Sequence, residues 1–279
     1  MSRRFAAGAA LGTAVVLSLT GCLGESDSKS GSGSAGGAVQ LSAAQVLQKA
    51  SQNTSKVDTY KISFTMSGTE GGDSVKMRGS MRYQAKPPAF SMAFSDISSG
   101  GQTVPGGMQM IVVGNTLYMK MPFLTQVTGG KPWMKFSQSD LRRDKNLKEI
   151  TQSGDQVNPQ LLTKMFTTSK DVKSAGKEAV GGLQTTHYTG TFTNKDALTA
   201  LSPRERKQAA EFLGNEGEKV AFDLWVDDQQ LPRKLVMKSL PGAREKMAMT
   251  MLFGGYGEPM NIKAPSPDQV GKAPRQLLS

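Results

Sequence analysis

Tyr60-Lys-Ile-Ser-Phe-Thr-Met66 decides the fold class: its apolar residues Tyr60, Ile62, Phe64 and Met66 take every second position, and Lys61, Ser63 and Thr65 take the others. That is the period of a strand with one buried and one solvated face. Gly71-Gly72-Asp73 supplies a turn, after which Val75, Met77, Met81 and Tyr83 alternate with Lys76, Arg78, Ser80 and Arg82. Two such segments joined by a short glycine turn predict an antiparallel pair.

The same pattern recurs in both directions. Pro87-Pro88 ends the second strand, since proline cannot donate to a ladder, and Phe90-Ser-Met-Ala-Phe94 repeats the alternation. Met108 to Val113, Gly114-Asn115 and Thr116 to Met121 read as a hairpin with a two-residue turn. Further strands are predicted at Lys131 to Phe136, Leu183 to Phe192, Lys219 to Val226, Leu231 to Lys238 and Lys246 to Phe253.

Helices are few. Ser42-Ala-Ala-Gln45 is a capping box that opens one with Val46, Leu47 and Ala50 on a single face. Asn158 and Pro159 start another as N-cap and first helical residue. A third segment runs from Ala197 to Leu213, re-capped at Ser202-Pro203-Arg204-Glu205 and ended by Gly214. The class is α+β: one curved antiparallel sheet with helices packed on one face. Residues 42–264 make one domain, with neither an internal linker nor a fixed-period repeat.

Ahead of this domain, Arg3 and Arg4 precede an apolar run from Ala6 to Leu19 without a charge, an n-region and h-region too short for a permanent span. Leu19-Thr20-Gly21-Cys22 follows and resembles the bacterial lipobox, so residues 1–21 are expected to be a signal peptide and Cys22 the lipidated residue, carrying diacylglyceryl and palmitate-type chains. The Arg pair leaves the general secretory and twin-arginine export routes both open. Cys22 is the single cysteine, so no intramolecular disulfide is available.

Residues 22–41 are mostly Gly, Ser and Ala and predict a flexible tether reaching roughly 25 Å. The Pro-rich, polar stretch 265–279 predicts a disordered tail.

Losing Arg3 and Arg4 takes the 34 basic residues to 32 against 23 acidic ones, a formal net charge of +9. That sign favours anionic surfaces such as phospholipid head groups; a solvated positive surface is the plainer account. The scattered basic residues, rarely interleaved with aromatics, argue against nucleic acid as a partner.

The alternating apolar positions are dominated by methionine and phenylalanine: Phe64, Met66, Met77, Met81, Met92, Phe94, Met110, Met119, Met121, Met237, Met247, Met249 and Met251, with Phe222 and Leu224 on the strand from Lys219. Methionine is unbranched and polarisable and reshapes around varied apolar partners, whereas β-branched residues pack a rigid sheet core better. This face is the candidate ligand-binding lining, the plain alternative being an ordinary methionine-rich core.

Catalytic equipment is not announced. His187 is the only histidine, and its parity with Thr185 and Thr189 predicts the solvent side. Asp227-Asp228, Asp140 and Asp144 are accounted for as turn and helix-start residues, and Gly100-Gly101 and Gly254-Gly255 lack phosphate-loop spacing. No metal, no cofactor and no enzymatic activity are expected. Arg204, Arg206 and Lys207 are candidates for membrane or head-group contact, against the plainer reading of a solvated helix face.

Three stretches carry a family likeness. Val220-Ala-Phe-Asp-Leu-Trp-Val-Asp227 with Gln230-Leu-Pro-Arg-Lys-Leu235, Leu252-Phe-Gly-Gly-Tyr256-Gly-Glu-Pro259 with Ile262-Lys-Ala-Pro265, and Lys131-Pro-Trp-Met-Lys135 resemble the LppX/LprAFG family of actinobacterial lipoproteins. The resemblance implies a half-barrel with helices over its concave side, an architecture shared with Lol lipoprotein carriers and periplasmic regulators of sigma-factor signalling. It also implies a lipid or lipoglycan ligand and an envelope transport partner, on the extracytoplasmic side of the cell membrane. A regulatory module that senses envelope lipids through a protein partner is the alternative that this fold allows.

Overall fold

The computed structural model describes residues 41–273, apart from 104, 145–146, 148–157, 214–216 and 244–245. The leader, Cys22 and Gly214 lie outside the described residues. No described helix is long and apolar enough to cross a membrane.

Strands β1 (Thr59–Glu70), β2 (Asp73–Gln84) and β3 (Ala89–Ser99) are long and joined by tight turns. They are followed by β4 (Gln102–Thr103), β5 (Met108–Val113), β6 (Thr116–Lys120) and β7 (Trp133–Phe136). After the helical middle come β8 (Lys173–Val180), β9 (Leu183–Thr193), β10 (Lys219–Asp227), β11 (Pro232–Ser239), β12 (Met247–Gly254) and β13 (Val270–Lys272). All join one open, curved sheet in the order β13-β7-β6-β5-β3-β2-β1-β12-β11-β10-β9-β8, with β4 on β3. Among the described residues only β13 pairs in parallel, on β7. Bulges at Arg78/Gly79, Ser174/Gly176 and Trp225/Val226 add local twist, which helps an open sheet to curl.

Among the described residues the α-helices are α1 (Ala43–Thr54), α2 (Gln138–Arg143), α3 (Pro159–Phe166), α4 (Asn194–Thr199) and α5 (Pro203–Leu213). The expected capping box at Ser42 is present, with the Ser42 amide donating to Gln45 Oε1 at 2.8 Å. Asn158 caps α3 by accepting from the Gln160 amide at 2.8 Å. The re-cap within the third helical segment divides it into α4 and α5, where the Ser202 amide donates to Glu205 Oε2 at 2.7 Å. Val46, Leu47 and Ala50 of α1 and Leu161, Leu162, Met165 and Phe166 of α3 share one core with the apolar face of the sheet.

Several elements depart from the sequence reading. α2 was not among the predicted helices, although Asp140 was read as a turn or helix-start residue; it opens from the capping box between Ser137 and Asp140. β8, KSAGKEAV, is exposed at every residue but the half-buried Val180, so it carries no alternation to read. Residues 267–272, expected in a disordered tail, form a short 3₁₀ turn and β13, with Lys131 Nζ donating to the Asp268 carbonyl.

Candidate functional site

Cross-strand register assembles the predicted apolar positions into continuous rows. Ile62, Met81, Met92, Met110, Met119 and Met134 stand opposite one another across β1, β2, β3, β5, β6 and β7, a ladder in which five neighbouring strands present methionine. One repeat further along, Met251, Phe64, Gly79, Phe94 and Met108 form a second row. A third holds Phe222, Met237, Met249, Met66, Met77 and Ile97.

Burial divides the candidate lining. Met81, Met92, Met110, Phe222, Leu224, Met237, Met249 and Met251 are buried, Met237 completely, under the helices and against one another. Phe166 of α3 stacks on Phe222 at 4.5 Å between ring centroids, and Phe192 is tilted against both. Phe64, Met66, Met77, Phe94 and Met119 are half-buried instead. Met121 and Met247 share that state, and so do Met108 and Ile97, which the sequence reading did not include. Parity with Met110 was the available signal for Met108. Met134 was also missed, and it is fully buried beside Met119.

Apart from Met119, which lies in the first row, the half-buried residues fall in the second and third rows or beyond them, on the side of the sheet toward the β1–β2 turn, where Met66 faces Met77 and Met249. Phe64 and Phe94 meet edge to face at 5.7 Å. Gly79 leaves room for this: a Cβ there would stand 2.6 Å from Phe64 Cζ. The inner face therefore grades from close-packed core to partly uncovered apolar surface.

The outer face mixes polar and charged residues with Leu252, Ile111 and the aromatic rings of Trp133 and Trp225. His187 is on it, as parity indicated, but its side chain is only 15% exposed, a correction to the expected solvent position. Trp225, directly across β9–β10, stacks on its ring at 4.2 Å. Asp223 Oδ1 lies 2.8 Å from His187 Nε2, and Glu178 Oε1 lies 3.2 Å from Nδ1. Trp225 Nε1 donates to Glu178 Oε2 at 2.9 Å while Lys234 Nζ sits 4.2 Å over the Trp225 ring. Among the described residues no group of three or more His, Cys, Asp or Glu is arranged to hold a metal ion.

The acidic candidates serve the backbone. Asp140 accepts from the Ser137 hydroxyl and amide at 2.5 and 2.7 Å, bonds that hold its carboxyl below the usual range. Asp144 accepts from the Leu147 amide at 3.2 Å. Asp227 closes the β10–β11 turn by accepting from the Gln229 and Leu231 amides, both at 2.9 Å, and pairs with Arg233 at 2.5 Å. Arg233 lies over the Tyr256 ring, and Tyr256 donates to the Pro232 carbonyl at 2.9 Å; burial pushes that phenol far above its ordinary range. Arg204, Arg206 and Lys207 are exposed on α5, and Arg206 Nε donates to the Leu201 carbonyl at 2.9 Å.

No protein-family model matches the chain. An uncharacterised 31.2 kDa protein of Streptomyces griseus is 29% identical over 154 residues, 50% of this chain and 47% of that one, so the chain spans about half the length of the curated relative it matches. Among solved structures, Mycobacterium tuberculosis lipoprotein LppX aligns over 79% of this chain and 98% of its own, at 14% identity and a TM-score of 0.47. LprF from Mycobacterium bovis covers 80% of this chain and 97% of its own, at 15% identity and a TM-score of 0.49. MucB in complex with MucA covers 80% and 59%, at 11% and 0.35.

Proposed function

We propose that this chain is a non-enzymatic envelope lipoprotein, anchored in the cell membrane through lipidated Cys22, that binds the apolar part of a lipid or lipoglycan at its Met/Phe face and carries or holds it on the extracytoplasmic side. The observation that carries the reading is the graded inner face. Close-packed residues such as Met81 and Met237 fix the fold, while half-buried Phe64, Met66, Met77 and Phe94 offer deformable apolar surface beside it. Each methylene transferred there from water contributes about 0.8 kcal/mol, so an acyl chain gains affinity by length without demanding one shape.

The test is native mass spectrometry with lipid extraction on the full chain purified from its own host, beside a variant carrying Met66→Glu and Met77→Glu. A defined lipid retained by the parent and lost by the variant, with melting unchanged, is the expected result. A chain that arrives empty and takes up no added lipid sinks the reading.

The burial of Met81, Met92, Met110 and Met237 in one core with residues of α1 and α3 favours one further reading, a regulatory module that signals through a protein partner. An empty chain that captures one defined envelope protein in a pull-down selects it.

A further inference from the structure

The outer face of the first three strands carries a feature that the fold does not require. In register across β12, β1, β2, β3 and β5 stand Leu252, Ser63, Ser80, Ala93 and Gln109. The three small side chains in the middle leave a depression of about 550 Å³, bordered by Thr65, Thr250 and Arg78.

Its surroundings are basic. The outward positions of β2 include Lys76, Arg78 and Arg82, all exposed, and Arg82 stands directly opposite Lys61. Like charges directly opposite on a sheet destabilise it. Glu258 takes Lys61 at 2.7 Å, whereas Arg82 Nε donates to the neutral Ser91 hydroxyl at 3.2 Å. Arg78 reaches Asp96 only at 3.8 Å, with both side chains about two-thirds exposed at 68% and 65%. The face thus combines a hollow lined both by serine and threonine hydroxyls and by Phe64, Phe94 and Leu252 with guanidinium groups whose donors are only partly used, and it is these guanidinium groups that complement phosphate oxygens.

We infer that this outer face of β1–β3 docks on the phosphate head groups of an anionic membrane, with Arg78 and Arg82 as the principal donors. Membrane contact then falls on the sheet rather than on Arg204, Arg206 and Lys207 of α5. The inference does not depend on a ligand at the Met/Phe face.

The test is flotation of the full chain, made as Cys22→Ser so that the anchor does not dominate, with phosphatidylcholine vesicles and with vesicles containing about one-third phosphatidylglycerol. Expected is binding to the anionic vesicles alone, weakened as salt rises from about 0.05 M to about 0.5 M. Arg78→Gln and Arg82→Gln are each expected to lower it about fivefold, with unchanged circular dichroism, while Lys207→Gln leaves it intact. Equal binding to neutral vesicles, no binding, or a loss with Lys207→Gln but not with the arginine variants overturns the inference. So does capture by polyglutamate without vesicle binding, which assigns the face to an acidic protein segment.

Discussion

Phe222 closes over Gly190 directly across the β9–β10 ladder: a Cβ on Gly190 would stand 2.9 Å from Phe222 Cζ and 2.7 Å from Ser169 Oγ. The glycine is there for close approach, and it lets Phe222 reach Phe166 of α3. Gly190→Ala is expected to force the ring off its rotamer and cost about 1–3 kcal/mol in urea denaturation. Combining it with Phe222→Leu should recover part of that loss, since residues in contact are energetically coupled. Strictly additive effects would show that the two do not share the space.

Asp171 ties the segment after α3 to β9. Its carboxylate accepts from the Thr191 hydroxyl at 2.5 Å, the Thr191 amide at 2.7 Å and the Ser169 hydroxyl at 2.9 Å. The Thr191 hydroxyl leads in holding its pKa at about 2, against an ordinary 3.8. A depressed folded-state value means that the stabilisation is complete above the ordinary value and is lost as pH falls toward the folded one. The difference in urea midpoint between the parent and Asp171→Asn should therefore shrink between about pH 5 and about pH 2. A difference that is constant over that window would show that the hydrogen bonds do not require the charge.

How much of this was legible follows from where the information sits. Strand parity was legible because Met and Phe alternate with Lys, Arg and Ser, and the register then had to bring Met81, Met92 and Met110 onto one face. β8 was not, because an edge strand exposed on both sides has no alternation. The shielding of His187 was not either, since its cover, Trp225, comes from a strand that begins 26 residues after β9 ends. Alternation identifies a face but not what lies above it. It marked Met77 and Met81 alike, and only tertiary packing separates the half-buried residue from the buried one.

The turn at Asp227 is a concentrated test of polar burial. Its side chain is 7% exposed and that of Arg233 15%, and the carboxylate also serves the Gln229 and Leu231 amides. Asp227→Ala removes the partner of a nearly buried guanidinium and the acceptor of two amides, so a loss of about 3–5 kcal/mol is expected in thermal or urea unfolding. Removing both charges with Asp227→Ala and Arg233→Met should cost less than the single Asp227 change. A double variant as damaged as the sum of the two would show that the ion pair is not the dominant interaction.

Met81 and Met77 separate stability from binding, because they lie on one strand and one face at different depths. Met81 is 1% exposed within the methionine ladder, so Met81→Ala should open a cavity and cost about 2–5 kcal/mol. Met77, half-buried opposite Met66, has fewer packed neighbours to lose, and Met77→Ala should cost less than about 1 kcal/mol. For a fluorescent fatty acid the order should reverse. Charged Met77→Glu is expected to lower uptake at least tenfold while the melting temperature holds, because a carboxylate on the apolar surface must be desolvated by any chain laid over it. If Met77→Glu binds the probe as well as the parent does, the half-buried end of the sheet is not where an acyl chain lies.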